Sequence, residues 1–181
     1  MAVSTLVATA KGASSNSFAT RDDANQYFED RPGNTSWTSA SNDQKDQALL
    51  FSTKMIDKIY RFRGEKTTTT QALSWPRRYV PNPDPDIEYK AEHLRLREVY
   101  MDEDVIPDRV KYATYEQALA LIKDSSRVED PGLQQFKKLK IEGVVEMEVN
   151  SNKLPRQITR AAKEFIQPFL RYGGHPNLIR T

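Results

Sequence analysis

No cysteine occurs anywhere in the 181 residues, so disulfides and thiolate chemistry are both excluded. Histidine is almost as scarce. His93 and His175 are the only two, and neither stands in an HxxxH or HExxH spacing. A zinc site would need both, completed by carboxylates from distant segments, so no metal is expected. Glycine numbers seven, and its one adjacent pair, Gly173-Gly174, follows a helical stretch instead of preceding one. Phosphate loops and dinucleotide fingerprints need the reverse order, so no cofactor is expected. No serine sits in a GxSxG frame. The acidic runs around Asp84 and Asp86, and at Asp102, Glu103 and Asp104, lack the ligand spacing of a calcium loop. The chain is therefore not expected to be an enzyme.

An excess of charge of one sign is also missing. Lysine and arginine number 27 against 25 aspartates and glutamates, a formal net charge of +2. A protein whose main work is gripping duplex DNA carries more positive charge than that. The opening MAVSTLVATA has no basic n-region, and its apolar run is too short for a signal peptide or a membrane span. Folding in cytoplasm without a membrane partner is the expectation.

What is present suits one domain with a proper core. The expected organisation is a flexible N-terminal arm over 1–16, a helical domain over 17–170 interrupted by a long loop insertion at 65–105, and a tail over 171–181. The fold class expected is mainly α, a small helical bundle with a minor β strand or hairpin and long extended arms. Thr20 is placed to cap a helix through Glu29. Ser41 and Gln44 have capping-box spacing for a longer helix over 42–62, ended by Gly64. Pro107 suits the start of a third helix ending near residue 125. A fourth is expected from Leu154-Pro155, to be distorted or ended by Pro168. The 3.6-residue stripes assign Tyr27, Phe28, Leu49, Met55, Ile56, Ile59, Phe62 and Phe165 to the core, and Trp37 is expected there with them. Residues 139–149 alternate apolar and polar, which predicts one half-buried strand whose partner comes from a loop or another subunit.

The stretch QALSWPRR, residues 71–78, sets an indole, a proline and two guanidinium groups side by side in a segment that cannot be a helix. Trp75 with Arg77 and Arg78 could stack a base and hold its phosphates. Tyr79 is the only other aromatic close by, and a single-strand groove needs more than that. Packing is favoured: Trp75 against the long helix, Pro76 stiffening the turn, and the two arginines paired with carboxylates inside the subunit or at an interface.

The same stretch takes its place in an ordered series. ANQYFEDR, Trp37, ALLFSTKMID, YRFRGEK, QALSWPRR and Ile106-Pro107 before a helix rich in alanine and leucine occur in one order. Together they resemble a family of tailed-bacteriophage proteins often labelled DnaT-like single-stranded-DNA-binding. Ala24, Tyr27, Phe28, Trp37, Ala48, Leu49, Ile56, Asp57, Gly64, Lys66, Gln71, Leu73, Trp75, Pro76, Arg77, Ile106 and Pro107 fall on its pattern, and Arg180 fits its usual finish. The segment between WPR and Ile106 departs from it, being much longer here. The resemblance implies a head-completion or head–tail adaptor protein of the virion neck, made in the host bacterial cytoplasm. It implies a homo-oligomeric, dodecameric ring beneath the portal protein that contacts tail or nozzle proteins. Such a ring lines the channel and passes dsDNA without sequence-specific binding. Two alternatives stay open: a single-stranded-DNA-binding protein of phage replication, or another neck or tail-completion protein. Trp75, Pro76, Arg77, Arg78 and Arg180 are the expected interface and loop anchors.

Overall fold

The computed structural model describes residues 4–84, 100–124, 139–141, 145–147 and 158–171. Arg180, both histidines, the Gly173-Gly174 pair and most of the long insertion lie outside the described residues. Thr20 caps α1, Arg21–Glu29, with a full capping box: its side chain accepts from the Asp23 amide at 3.1 Å, and Asp23 accepts from the Thr20 amide at 3.4 Å. A short helix α2, Thr35–Ser39, follows and buries Trp37. Ser41 and Gln44 make the second reciprocal box at the head of α3, Asn42–Ile59, which buries Leu49, Ser52, Met55 and Ile56 on one face.

The end of α3 corrects the expectation. The helix stops at Ile59, and Tyr60 is extended at φ −103°, ψ 142°. Ile59, assigned to the core, is 42% exposed. Phe62 takes the inward position instead, because the extended residues after the helix swing it under the bundle, where it is 5% exposed. Gly64 is thus no helix terminator; it turns the chain a few residues further on.

Pro107 is the N-cap of α4, Asp108–Lys123, which buries residues on nearly every side because α3 packs on one flank and α5 on another. Helix α5 runs only Arg160–Ile166, later than the expected start at Leu154-Pro155. Thr159 explains the shift: it is extended, and its hydroxyl accepts from the Ala162 amide at 3.2 Å, so it begins the helix as a cap. Pro168 lies in a 3-10 turn, Gln167–Phe169, that finishes α5. Gln117 is fully buried on α4 and is met by the Thr159 amide, which donates to its Oε1 at 2.9 Å.

Two antiparallel pairs complete the architecture. Strands β1, Glu65–Lys66, and β2, Arg77–Arg78, pair Glu65 with Arg78 and Lys66 with Arg77. Strands β3, Leu139–Ile141, and β4, Val145–Met147, pair Leu139 with Met147. The stretch read as one strand is therefore a hairpin: its own second half supplies the hydrogen-bonding partner sought elsewhere, and the alternation survives in each half. The fold is a mainly helical bundle with small antiparallel hairpins.

The core forms two clusters. One gathers Phe18, Met55, Ile56, Phe62, Trp75, Val80, Val110, Ile166 and Phe169, with Phe165 half-buried against it. The other gathers Ala24, Phe28, Trp37, Leu49, Tyr115 and Leu119, with Tyr27 half-buried against it. Each fully buried large apolar side chain contributes about 1.5–3 kcal/mol. Residues 4–16, the described part of the segment read as an arm over 1–16, carry defined contacts: the Val7 amide donates to Asn16 Oδ1 at 2.7 Å, and just beyond them the Phe18 amide donates to Thr53 Oγ1 at 3.2 Å.

Candidate functional site

Where α3 ends, three extended segments come together. Arg61 to Arg63 lie beside Phe169 to Arg171: the Arg63 amide donates to the Phe169 carbonyl at 2.9 Å, and the Arg171 amide to the Arg61 carbonyl at 2.8 Å. Phe62 and Leu170 form the antiparallel bridge between them. Gly64 then turns the chain at φ +67° into β1, and a Cβ there would stand 2.2 Å from the Arg78 carbonyl oxygen. Only glycine fits that approach. Strand β2 closes the third edge.

The loop between β1 and β2 is held by polar side chains. Gln71 is 3% exposed and spends its whole amide. Its Oε1 accepts from the Thr68 amide at 2.9 Å, while its Nε2 donates to the carbonyls of Leu73 and Pro76, both at 2.9 Å. The Lys66 ammonium donates to the carbonyls of Gln71 and Ala72. Asp57, on α3, accepts from the Ser74 amide at 2.9 Å and from the Ser74 hydroxyl. These contacts aim Trp75 inward. The indole is 1% exposed and edge-on to Phe62 at 5.5 Å and Phe169 at 5.4 Å between ring centroids. Its Nε1 has no hydrogen-bond partner among the described residues. Pro76, joined to it through a cis peptide, is buried as well.

The two arginines part company. Arg77 turns back: its Nε donates to the Arg63 carbonyl at 2.7 Å and its other nitrogens to the carbonyls of Gly64 at 2.7 Å and Ser74 at 3.1 Å. It clamps backbone where carboxylate pairing was expected. Burial pulls its guanidinium below the ordinary value, with Asp57 and Glu65 opposing. Arg78 does pair with a carboxylate, Glu65, at 3.0 Å, on the surface. It also lies over the ring of Tyr79, which is 57% exposed, sits at φ +60° and meets Tyr100 edge-on at 6.1 Å.

The result is a braced surface on which Arg61 and Arg171 are exposed, beside Arg63, Arg78 and Tyr79. Arg61 and Arg63 stand close to Trp75 in the sequence itself, whereas Arg171 does not, since residues 61 and 171 meet only in the fold. One signal was available. Residues 54–78 hold seven lysines and arginines against two acids, whereas residues 20–46 hold six acids against three bases. A net charge of +2 conceals that separation. Over residues 5–181 the sequence matches the family described as "Putative DnaT-like ssDNA binding protein". The chain belongs to this DnaT-like family. A search of curated proteins and a search of solved structures each find no match. The residues on which the DnaT-like resemblance rests thus have a structural meaning here: Asp57, Gly64, Lys66, Gln71, Trp75, Pro76 and Arg77 build one brace.

A second constellation joins α1 to α4 in this DnaT-like chain. Glu116 is 7% exposed; its Oε1 accepts from Arg31 Nε at 2.5 Å and from the Tyr27 hydroxyl at 2.8 Å, and its Oε2 from the second Arg31 nitrogen at 2.9 Å. Burial first, and the Glu116 carboxylate second, push the Tyr27 hydroxyl far above its ordinary value. Tyr112 stacks on Tyr27 at 5.0 Å. Both oxygens of the Glu116 carboxylate and the Tyr27 hydroxyl are spent within the group, which suits a latch. The acidic runs are spent similarly: Asp84 accepts from Arg109 at 2.5 Å, and Asp104 pairs with Lys11. No group of three or more potential metal ligands occurs among the described residues.

Proposed function

We propose that the protein is a structural component of the virion neck: a head–tail adaptor that completes the head as a dodecameric ring beneath the portal. In this reading it bonds the portal above to tail or nozzle proteins below and passes dsDNA without sequence-specific binding. The observation that carries it is the burial of Trp75. The motif shared with the DnaT-like family spends its aromatic ring, its proline and one of its arginines on an internal brace. Bases cannot stack on a ring that is 1% exposed. A motif that stiffens a surface serves a scaffold that must hold neighbours in register. The test is electron microscopy of purified particles and of portal complexes incubated with the protein. A ring stacked below the portal is the expected image; absence from both sinks the reading.

The second reading is single-stranded-DNA binding, as the family's description has it. Arg61, Arg171, Arg78 and the exposed Tyr79 favour it, since guanidinium groups beside a free aromatic are what a nucleotide strand uses. It predicts oligonucleotide affinity that falls steeply with salt and weakens in Tyr79→Ala, while Trp75→Phe leaves affinity intact.

A further inference from the structure

The charge separation runs along α3. Its first turn carries Asp43, with Asp46 one turn on, and α1 starts beside them through the Arg21–Asp46 ion pair at 2.9 Å. Its last turn leads into the arginine surface. Eighteen residues at 1.5 Å rise set these ends roughly 27 Å apart. The acidic end is concave, a cleft of about 520 Å³ lined by Asp22, Asp43 and Asp46 against the single cation Arg21, with Leu6 and Thr20 beside them. Asp22 and Asp43 are exposed and have no ion pair among the described residues. Asp46 gives one oxygen to Arg21, and its buried Oδ1 has no donor. At the other end Arg61 and Arg171 are exposed without a side-chain acceptor among the described residues. One end thus offers donors lacking acceptors, and the other offers acceptors lacking donors.

We propose that the arginine surface of one copy docks into the acidic cleft of a second copy, with Arg61 and Arg171 facing Asp22, Asp43 and Asp46. This rests on the adaptor reading and names the surfaces that a ring would use. The two patches differ and lie at opposite ends of a rigid helix, so the contact is head-to-tail, and repetition closes a ring or extends a filament. Guanidinium groups on carboxylates at a solvated junction steer association strongly and are screened by salt.

The experiment is sedimentation velocity of the full chain at low and high ionic strength, for wild type, Arg61→Glu/Arg171→Glu and Asp22→Lys/Asp43→Lys. All four positions are exposed, and circular dichroism verifies that each variant is folded. Wild type is expected to assemble at low salt and dissociate at high salt, and each variant alone to lose association at least tenfold. Mixing the two variants sets the arginines of one against the aspartates of the other, and the new glutamates against the new lysines, so the mixture is expected to recover assembly with the two variants alternating. Placing all four substitutions in one chain should restore assembly. The proposal is overturned if the variants assemble like wild type, if wild type stays monomeric at low salt, or if the mixture does not assemble. It is also overturned if the arginine variant loses oligonucleotide binding while keeping self-association. Rings beneath the portal formed equally by all variants would overturn this contact and leave the adaptor reading standing. Charge-dependent assembly of a protein missing from particles and portal complexes would do the opposite.

Discussion

Replacing Trp75 with alanine removes a side chain that is 1% exposed and edge-on to two phenylalanines. Aromatic-to-alanine changes in cores cost about 3–5 kcal/mol. Two features set the figure here. The loop around the indole is tied by Gln71, Lys66, Asp57 and Arg77, so it cannot settle into the space left behind, and a cavity persists. Against this, the substitution also removes a buried N–H without an acceptor, a group that costs about 1–3 kcal/mol to leave unmet. The expected net loss is about 3 kcal/mol for Trp75→Ala. For Trp75→Phe, which keeps an edge contact and sheds the N–H, about 1 kcal/mol or less is expected. Urea titration followed by far-ultraviolet circular dichroism reads both. With a slope of about 2 kcal/mol per molar, the alanine variant should unfold about 1.5 M earlier than wild type. A midpoint within about 0.3 M of wild type would refute the brace. Loss of oligonucleotide affinity at unchanged stability would instead mark Trp75 as a stacking residue.

Gly64→Ala puts a Cβ against the Arg78 carbonyl at a positive φ, so it should cost about 1–3 kcal/mol and lower the melting temperature by about 3–10 °C in calorimetry; an unchanged melting point contradicts the turn. Glu116→Gln leaves Arg31 without its counter-charge and should cost about 1–3 kcal/mol at neutral pH by denaturant titration, whereas Glu116→Leu with Arg31→Leu should recover most of it. Tyr27 and Tyr115 are held above the ordinary 10.0, burial being the larger cause in each. Above about pH 10 the unfolded chain releases these protons while the folded chain keeps them, so the stability they confer is full below that pH and falls as pH rises through it. Ultraviolet titration should show Tyr27 and Tyr115 ionising only on unfolding; ionisation of both in the folded protein near the ordinary value would dispose of this.

How much of this was legible in the sequence depends on how local each cause is. Thr20 and Ser41 announced their helices because a capping box is complete within four residues. The core stripes were legible for the same reason, up to the last turn of α3. Ile59 was misjudged because periodicity says nothing about where a helix leaves its neighbour, and the bridge between Phe62 and Leu170, which decides it, joins residues far apart in sequence. The hairpin at 139–147 was read as a single strand because alternation is identical on both sides of a reversal. Trp75 was placed in the core by the poverty of other stacking residues nearby. Arg77 was read as a charge seeking a carboxylate, since nothing local reveals that three carbonyls converge on it. The arginines around Trp75 were legible as near neighbours in sequence, but the place of Arg171 among them was not, as the surface is assembled from α3's exit, β2 and the residues after α5.

One contact made in passing governs how this chain can vary. The Met101 amide donates to the Val80 carbonyl at 2.8 Å, and Pro81 bridges Tyr100, so the long excursion after the WPR motif leaves and re-enters the fold through one pinched neck. Val80 on one side of that neck is fully buried. Closing a segment tied at its neck costs about 0.6 kcal/mol more for each doubling of its length. Its length is therefore a small term in the stability of everything beneath it. Evolution can lengthen, shorten or exchange the excursion to suit whatever meets it, as one changes a fitting on a standard socket, without renegotiating the fold.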